Sequence, residues 1–217
     1  MWAGAIIILN IVLLLSCAPP EPIRLGYIGG ASGRVADLGI AGRDAVLLAV
    51  ELRNQAGGVA GRKVELLIRD DEQKPEVAQR AVRELIKQGV VAIIGPMTSA
   101  MAIAIAPIAD EAAIVLISPT VVANELTGKD DYFLRRSLPM QQYVRKMALY
   151  QRHVRGLRRV TAVYDLNNRA YTEGWLHDFR VAFAEAGGEI IPAIGFASGA
   201  ATGFLRIAGE LLAPQPD

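Results

Sequence analysis

Short apolar segments alternate with amphipathic segments of ten or more residues along nearly the whole chain, and this alternation constrains the fold more than any other feature. The apolar segments are "IRLGYIG" (23–29), "KVELLIR" (63–69), "VVAIIG" (90–95), "IVLIS" (114–118), "YFLRRS" (132–137), "VTAVYD" (160–165) and "EIIPAIGF" (189–196). Strands that alternate with helices favour βαβ units and a parallel sheet. The sequence therefore predicts an α/β fold with parallel, doubly wound sheets.

The intervening segments have helical periodicity. A helix is predicted over 37–55, where apolar residues recur at helical spacing: Ala41, Ala45, Leu48, Ala49 and Leu52. Pro75 opens a second helix that ends at Gly89, as expected from the preference of proline for the first helical turn. Further helices are predicted over 99–113, 141–154, 172–186 and 202–212.

The alternation divides the chain into two units. One α/β set is complete by about residue 137, and a second begins near Val160. We predict a first lobe over 23–137, followed over 138–217 by a hinge-crossing helix and a partial second lobe. The second lobe is expected to be incomplete, because the sequence stops at "LLAPQPD" just after a helix, where an α/β unit places its next strand.

Residues 1–17 have the character of an export signal. An apolar run of about eleven residues, 5–15, ends within "LLSC" at 14–17. The run is short for a membrane span but suits the hydrophobic part of a signal peptide. No Lys or Arg precedes the run. The "LLSC" resembles a bacterial lipoprotein signal, so Cys17 is predicted to carry lipid after cleavage, with 18–22 as a linker. A buried thiol and an uncleaved anchor are the alternatives.

Composition and motifs exclude several functions. A net charge of +1 gives no attraction to nucleic acid, and one cysteine with two distant histidines forms no disulfide or zinc site. The "GGASGR" turn lacks the glycine spacing of a dinucleotide fingerprint, and "ELTGKD" is no phosphate loop. No nucleophile elbow or triad is present, so no enzyme, metal or cofactor is expected. The pair Asp70 and Asp71 is interpreted as a solvated turn before the next helix.

Two strand ends suggest a binding site. Small ligands bind beyond the carboxyl ends of parallel strands, where helix N-termini present N–H groups. Thr98 and Ser99 follow one such end and begin a helix, so their hydroxyls and the first-turn N–H groups are predicted to hold a carboxylate. "ISPTVV" (117–122) repeats the arrangement with Ser118 and Thr120. The alternative is that Ser and Thr are ordinary N-caps, with Thr98 shaping the turn.

The segment "NQAGGVAGRKVELLIRDDEQKPEVAQRAVRELIKQGVVAIIGP" (54–96), with "GGASG" before it and "ISPT" after it, resembles the periplasmic type I binding proteins for leucine, isoleucine, valine and related ligands. The resemblance runs from about Ile23 to Asp217. It implies two α/β lobes joined by a hinge, with the ligand trapped between them.

The resemblance also implies roles for particular residues. Ser99 matches the serine that binds the amino or carboxylate group of the ligand, Thr120 lies where the family uses backbone contacts, and Tyr171 matches a tyrosine that closes over the ligand. Val122 replaces a threonine that grips the ligand, and Leu38 replaces an aromatic residue beside it. Together with the absence of a second-lobe acid, these departures favour a carboxylate-bearing or apolar ligand over a zwitterion.

The function implied is that of an extracytoplasmic receptor of an ABC importer, which binds branched-chain amino acids or a related small carboxylate. Its partners would be the ligand, a permease with its ATPase, and the membrane through lipidated Cys17, at the periplasm or cell surface. The alternatives are a ligand-sensing module of the same fold that docks on a signalling protein, a small α/β enzyme, and a nonfunctional receptor fragment.

Overall fold

Two parallel β-sheets, one of five strands and one of two, organise the part of the chain that the structure describes. The computed structural model describes residues 20–33, 36–198 and 203–217. The larger sheet has the order β2-β1-β3-β4-β5, and the smaller pairs β6 with β7. The strands are β1 (Ile23–Ile28), β2 (Val64–Arg69), β3 (Ala92–Ile94), β4 (Val115–Ser118), β5 (Phe133–Arg135), β6 (Arg159–Asp165) and β7 (Glu189–Phe196). All pairs of these strands are parallel, which confirms the predicted fold class.

An α-helix follows every described strand except β4, which is followed by a short 3-10 helix, Asn124–Leu126, and most of the α-helices begin and end within a few residues of the predicted bounds. They are α1 (Ala36–Gln55), α2 (Pro75–Lys87), α3 (Ser99–Glu111), α4 (Met140–His153), α5 (Arg169–Glu185) and α6 (Phe204–Leu212). Two elements differ from expectation: β3 has three residues instead of six, and α5 begins three residues before the predicted start. Within the described ranges no helix is long and apolar enough to cross a membrane. Cys17 and the predicted signal lie outside those ranges.

One face of the larger sheet is covered by α2 and α3. The strand register aligns Gly26, Ile93, Leu116 and Phe133 across the sheet, so their side chains share this face. The last three are buried together with apolar residues of both helices. Gly26 leaves the room that α2 needs, since a Cβ there would lie 3.0 Å from Leu85 Cδ1.

The opposite face is covered on one side only. There α1 packs over β1, and the buried Tyr27 hydroxyl donates to the Gly39 carbonyl at 2.5 Å. Further along this face Ile117 and Leu134 are 38% and 53% exposed. The predicted apolar stripe of α1 is exposed as well, with Leu48 at 56%. Periodicity thus identified the helix correctly, but it carries no information on what covers the helix.

A second apolar cluster joins α4 and α5 to the smaller sheet. The rings of Trp175, Phe179 and Phe183 stack along α5 with centroid separations of 5.1 and 5.2 Å. Val122, which follows β4 of the larger sheet, is buried in this second cluster beside Met140. The segment after β4 is therefore packed against both units.

Candidate ligand-binding site

A cavity of about 510 Å³ lies beyond the carboxyl ends of β3 and β4, between the two units. All six residues selected from the sequence line it: Leu38, Thr98, Ser99, Thr120, Val122 and Tyr171. Five further residues complete the wall: Met97, Ser137, Leu138, Tyr143 and Asn168. Sequence positions up to 133 residues apart therefore meet at the place where parallel α/β sheets bind small molecules.

Gly95 sets the direction of the chain as it enters the cavity wall. It follows β3 with φ of 112°, a conformation that favours glycine, and a Cβ there would lie 1.9 Å from the Ile28 carbonyl oxygen. The two backbones can approach only because this side chain is absent. This close packing places Met97, Thr98 and Ser99 at the edge of the sheet.

Ser99 presents a free hydroxyl at the N-terminus of α3. It is the first residue of the helix, and its hydroxyl has no hydrogen-bond partner among the described residues. The N–H groups of the first helical turn lack partners within their own helix. A hydroxyl donor and these N–H groups at one helix start form an arrangement that suits a carboxylate.

Thr98 differs from its neighbour, and here the structure corrects the sequence interpretation. Thr98 occupies the N-cap position but its side chain makes no capping bond. Instead, Thr98 Oγ1 donates to Gln73 Oε1 at 3.2 Å. A hydroxyl has a single proton, so the Thr98 hydroxyl is not available to donate to a carboxylate together with Ser99.

The expectation of a solvated Asp70–Asp71 turn is wrong for one of the two residues. Asp70 lies near the surface and accepts bonds from the Ser32 hydroxyl and the Ala31 N–H. Asp71 is completely buried, and one oxygen, Oδ2, has no hydrogen-bond partner among the described residues. Burial raises the pKa of Asp71. The loop folds inward because Asp71 Oδ1 accepts both the backbone and side-chain N–H groups of Gln73.

Hydroxyl bonds tie the ends of β3 and β4 together. Thr120 Oγ1 donates to the Met97 carbonyl at 2.7 Å, and Ser118 Oγ donates to the Pro96 carbonyl at the same distance. The Thr120 proton is thereby committed to the protein. Its lone pairs remain available, so Thr120 acts as an acceptor at the cavity wall.

Tyrosines form the wall on the side of the smaller sheet. Tyr143 projects from α4 and Tyr171 from α5. Burial and the neighbouring Tyr171 hydroxyl raise the pKa of Tyr143, so its phenol stays neutral across the physiological range. Asn168 lies next to them at the N-cap of α5, makes no side-chain capping bond, and has a buried Oδ1 without a partner among the described residues.

The remaining wall is apolar. Leu38 comes from α1, Met97 from the turn before α3, and Leu138 from the crossing segment, the residues between β5 and α4. Val122 serves two roles, since it lines the cavity and packs in the second apolar cluster. The Val122 side chain therefore contributes a contact between the units where the resemblance implied a polar group.

Three of the five residues that the sequence analysis missed share a cause. Ser137, Leu138 and Tyr143 belong to the crossing segment and the helix after it, and their placement depends on how the second unit packs against the first. A helical pattern over 141–154 gives no sign of which side chain faces the cavity. Met97 alone was within reach, because it follows the same strand end as Thr98.

Comparison with known proteins agrees with this architecture. Residues 22–217 match the family model described as periplasmic binding protein. A Leu/Ile/Val-binding protein homolog of Brucella melitensis is 28% identical over 167 residues, which is 76% of this chain and 45% of the relative.

Two solved structures share the fold. One is the branched-chain amino acid transporter substrate binding protein LivJ of Streptococcus pneumoniae in complex with isoleucine, with 26% identity, a TM-score of 0.77, and coverage of 86% of this chain and 53% of that protein. The other is a solute binding protein of an ABC transporter from Rhodopseudomonas palustris in complex with 3,4-dihydroxybenzoic acid, with 25% identity, a TM-score of 0.76, and coverage of 90% and 53%.

These matches extend over part of each relative. The chain spans about a third to a half of the length of the curated relatives and about half of the solved structures. The family model nevertheless matches nearly the entire chain after residue 21, and its members are solute-binding receptors. The chain belongs to the periplasmic binding protein family.

Proposed function

We propose that this chain is the ligand-binding part of an extracytoplasmic receptor of an ABC importer, and that it holds a branched-chain amino acid or a related small carboxylate between two lobes. The observation that carries the proposal is the cavity whose wall combines the free Ser99 hydroxyl with tyrosines from the other unit. The names of the relatives, which include Leu/Ile/Val-binding proteins, support this ligand class.

The polar groups of the cavity fit an α-amino acid better than the sequence suggested. Ser99 and the start of α3 offer donors to a carboxylate. Thr120 offers an acceptor to an ammonium group, because its own proton is bonded to the Met97 carbonyl. The Thr120 acceptor offsets the loss of a threonine at Val122. The apolar side chains of Leu38 and Leu138 suit a hydrocarbon ligand side chain.

Binding without chemical conversion is part of the proposal. The cavity residues are hydroxyls, phenols, an amide and apolar side chains, and none is paired with a base that would activate it as a nucleophile. The lobe bounds of 23–137 and 138–217, the lipid anchor at Cys17, and the permease and ATPase as partners belong to the same proposal and rest on the sequence.

Calorimetry and thermal unfolding of the purified 217-residue chain test the proposal. The ligands are leucine, isoleucine, valine and 3,4-dihydroxybenzoate, with lysine as a mismatched amino acid. At about one hundred times Kd, a ligand that binds only the folded state adds about 2.7 kcal/mol to the unfolding free energy. That gain corresponds to a rise in Tm of roughly 5 to 10 °C.

Ser99→Ala is expected to abolish this shift while leaving the Tm of the free protein nearly unchanged, since the Ser99 hydroxyl has no partner among the residues that the structure describes. Ser32→Ala is the matched control, because Ser32 lies outside the cavity and bonds Asp70. A wild-type chain that gives no shift with any of these ligands would contradict the proposal.

A further inference from the structure

We infer that Gln73 is a positioning residue for the ligand site: it holds the Thr98 hydroxyl so that Thr98 presents an acceptor to the cavity and selects ligands with an N–H donor beside their carboxylate. The inference rests on the proposed function. It assigns a role in selectivity to a loop residue that does not line the cavity.

Asp71 sets the orientation of the Gln73 amide. Asp71 Oδ1 accepts the Gln73 backbone N–H at 2.9 Å and the Gln73 Nε2 group at 2.8 Å. This oxygen accepts in either protonation state, because a proton on Asp71 would reside on Oδ2, the oxygen without a partner. Reversing the amide would place Gln73 Oε1 against Asp71 Oδ1, an arrangement of two acceptors. Asp71 therefore fixes Nε2 inward and Oε1 toward Thr98.

The Thr98 hydroxyl proton points toward Gln73. Thr98 Oγ1 lies 3.2 Å from Gln73 Oε1, and only the Thr98 proton can bridge these two oxygens. Thr98 is 5% exposed, lines the cavity, and does not use its lone pairs to cap α3. The lone pairs are the remaining hydrogen-bonding capacity of this side chain. Thr98 can thus only accept a hydrogen bond from a ligand, whereas Ser99 beside it can donate one.

The backbone conformation of the same loop brings the Gln73 amide close to Thr98. Glu72 and Gln73 have φ of 50° and 55°, in the left-handed region that residues with a Cβ seldom occupy. The Glu72 N–H is bonded to Asp70 Oδ1 at 2.9 Å, and the Gln73 N–H to Asp71. Two adjacent carboxylates therefore stabilise an unfavourable backbone conformation that brings the Gln73 amide to Thr98. Such strain is typical of segments that serve a site.

The consequence for selectivity follows from the number of donors and acceptors. If the Thr98 hydroxyl were free to rotate, it could donate to a ligand carboxylate or accept from an ammonium group. With its proton bonded to Gln73, Thr98 can only accept. A ligand with an ammonium group gains a partner, whereas the matching 2-oxo acid places a carbonyl oxygen against the Thr98 lone pairs.

Titration calorimetry with leucine and 4-methyl-2-oxopentanoate tests the inference, since the two ligands differ only in the group on the α-carbon. The variants are Gln73→Met, which keeps the length of the side chain without its amide, Thr98→Val, and the double variant. The measured quantity is the ratio of the two Kd values. Gln73→Met and Thr98→Val are each expected to reduce the preference for leucine about tenfold, as expected for one hydrogen bond to a charged group.

The double variant distinguishes positioning from a general structural effect. Because Gln73 is inferred to act through Thr98, adding Gln73→Met to Thr98→Val should change the ratio no further. Gln79→Met is the matched control, because Gln79 bonds the Ala104 carbonyl outside the cavity, and it should leave the ratio unchanged.

The outcomes separate this inference from the proposed function. A wild-type chain that binds neither ligand overturns the inference, and it overturns the proposed function as well only if isoleucine, valine and 3,4-dihydroxybenzoate also fail to bind. A wild-type chain that prefers leucine, combined with an unchanged ratio in Thr98→Val, overturns the inference alone. An unchanged ratio in Thr98→Val overturns the inference even if Gln73→Met does not fold, and an unchanged ratio in a folded Gln73→Met overturns it as well. A further loss of preference in the double variant would also overturn the inference, because Gln73 would then act by another route.

Discussion

Asn124 Nδ2 donates to Asp178 Oδ2 at 2.7 Å, and this bond joins the segment after β4 to helix α5. The Asn124 amide is used at both ends, since its Oδ1 accepts the Gln141 N–H at the start of α4. One side chain of the first unit therefore contacts both helices of the second. These bonds lie close to Val122, which packs in the second apolar cluster, so they help to set the distance across the cavity.

Asn124→Leu should lower the unfolding free energy by about 1 to 2 kcal/mol, because it removes a half-buried bond to a charged group. Denaturant unfolding monitored by tryptophan fluorescence provides the measurement. Glu185→Ala removes the Arg145–Glu185 pair, whose side chains are both more than half exposed, and should cost no more than about 0.5 kcal/mol. Equal losses of unfolding free energy in the two variants would show that the Asn124–Asp178 bond stabilises the protein no more than an exposed ion pair does.

Asp71→Asn should make stability less dependent on pH. The pKa of Asp71 is raised by burial, so the folded state holds its proton more tightly than the unfolded state does. Wild-type stability therefore falls as the pH rises from the ordinary aspartate range through the raised pKa. The advantage of Asp71→Asn over wild type should grow over that interval and then level off, as measured by unfolding free energies at a series of pH values.

Asp70 supplies a control, because its effect on stability changes with pH in the opposite direction. Burial opposes ionisation of Asp70, but hydrogen bonds from the Glu72 N–H, the Ser32 hydroxyl and the Ala31 N–H lower its pKa. The stabilising effect of Asp70 is present above the ordinary aspartate pKa and disappears as the pH falls through the lowered value. Asp70→Asn should therefore cost most near neutrality. Matching slopes in the two variants would contradict both assignments.

Gly95→Ala should destabilise the protein by roughly 2 to 4 kcal/mol, because the added Cβ would meet the Ile28 carbonyl at 1.9 Å in a left-handed backbone conformation. Gly89→Ala is the matched comparison, since Gly89 has φ of 75° and open space around its Cα. It should cost about 1 kcal/mol from conformation alone. Chemical denaturation distinguishes them, and a smaller loss for Gly95→Ala than for Gly89→Ala would contradict the close approach at the end of β3.

The two faces of the larger sheet should respond differently to substitution. Leu134→Lys places charge on the exposed face and should change the unfolding free energy by less than about 0.5 kcal/mol. Leu116→Ala, on the covered face, should cost about 2 to 5 kcal/mol. Leu134→Lys should also reduce binding of a hydrophobic dye to the folded chain. A large loss of stability in Leu134→Lys would mean that another surface covers this face in solution.

The sequence predicted the topology well, for a physical reason. Buried parallel strands such as 114–118 are recognisable as short apolar runs, and the helices between them repeat every three to four residues. Because the carboxyl ends of parallel strands share an edge, Ser99 and Thr120 could be placed near each other without any coordinates. The family resemblance added Tyr171, which the structure brings to the same cavity.

A pattern of residue types does not predict the direction of a hydroxyl proton or the burial of a carboxyl group. Thr98 and Ser99 look equivalent in the sequence, yet the Thr98 hydroxyl donates to Gln73 and the Ser99 hydroxyl has no partner in the described part of the chain. Adjacent aspartates after a strand are typical of solvated turns, whereas Asp71 is buried because the Gln73 N–H groups satisfy one of its oxygens. The Thr98 bond joins positions 25 residues apart, and the Asp71 bonds are local but depend on a loop conformation that residue types alone do not specify.

The cavity walls come from loops and helices attached to two sheets that share no strand among the described residues. A ligand enclosed there would contact both units at once and so add contacts between them that are lost when it leaves. The mutual orientation of the sheets would then vary with the concentration of a small solute. A pair of fluorescent labels, one on each sheet, would turn this chain into an optical gauge of that solute.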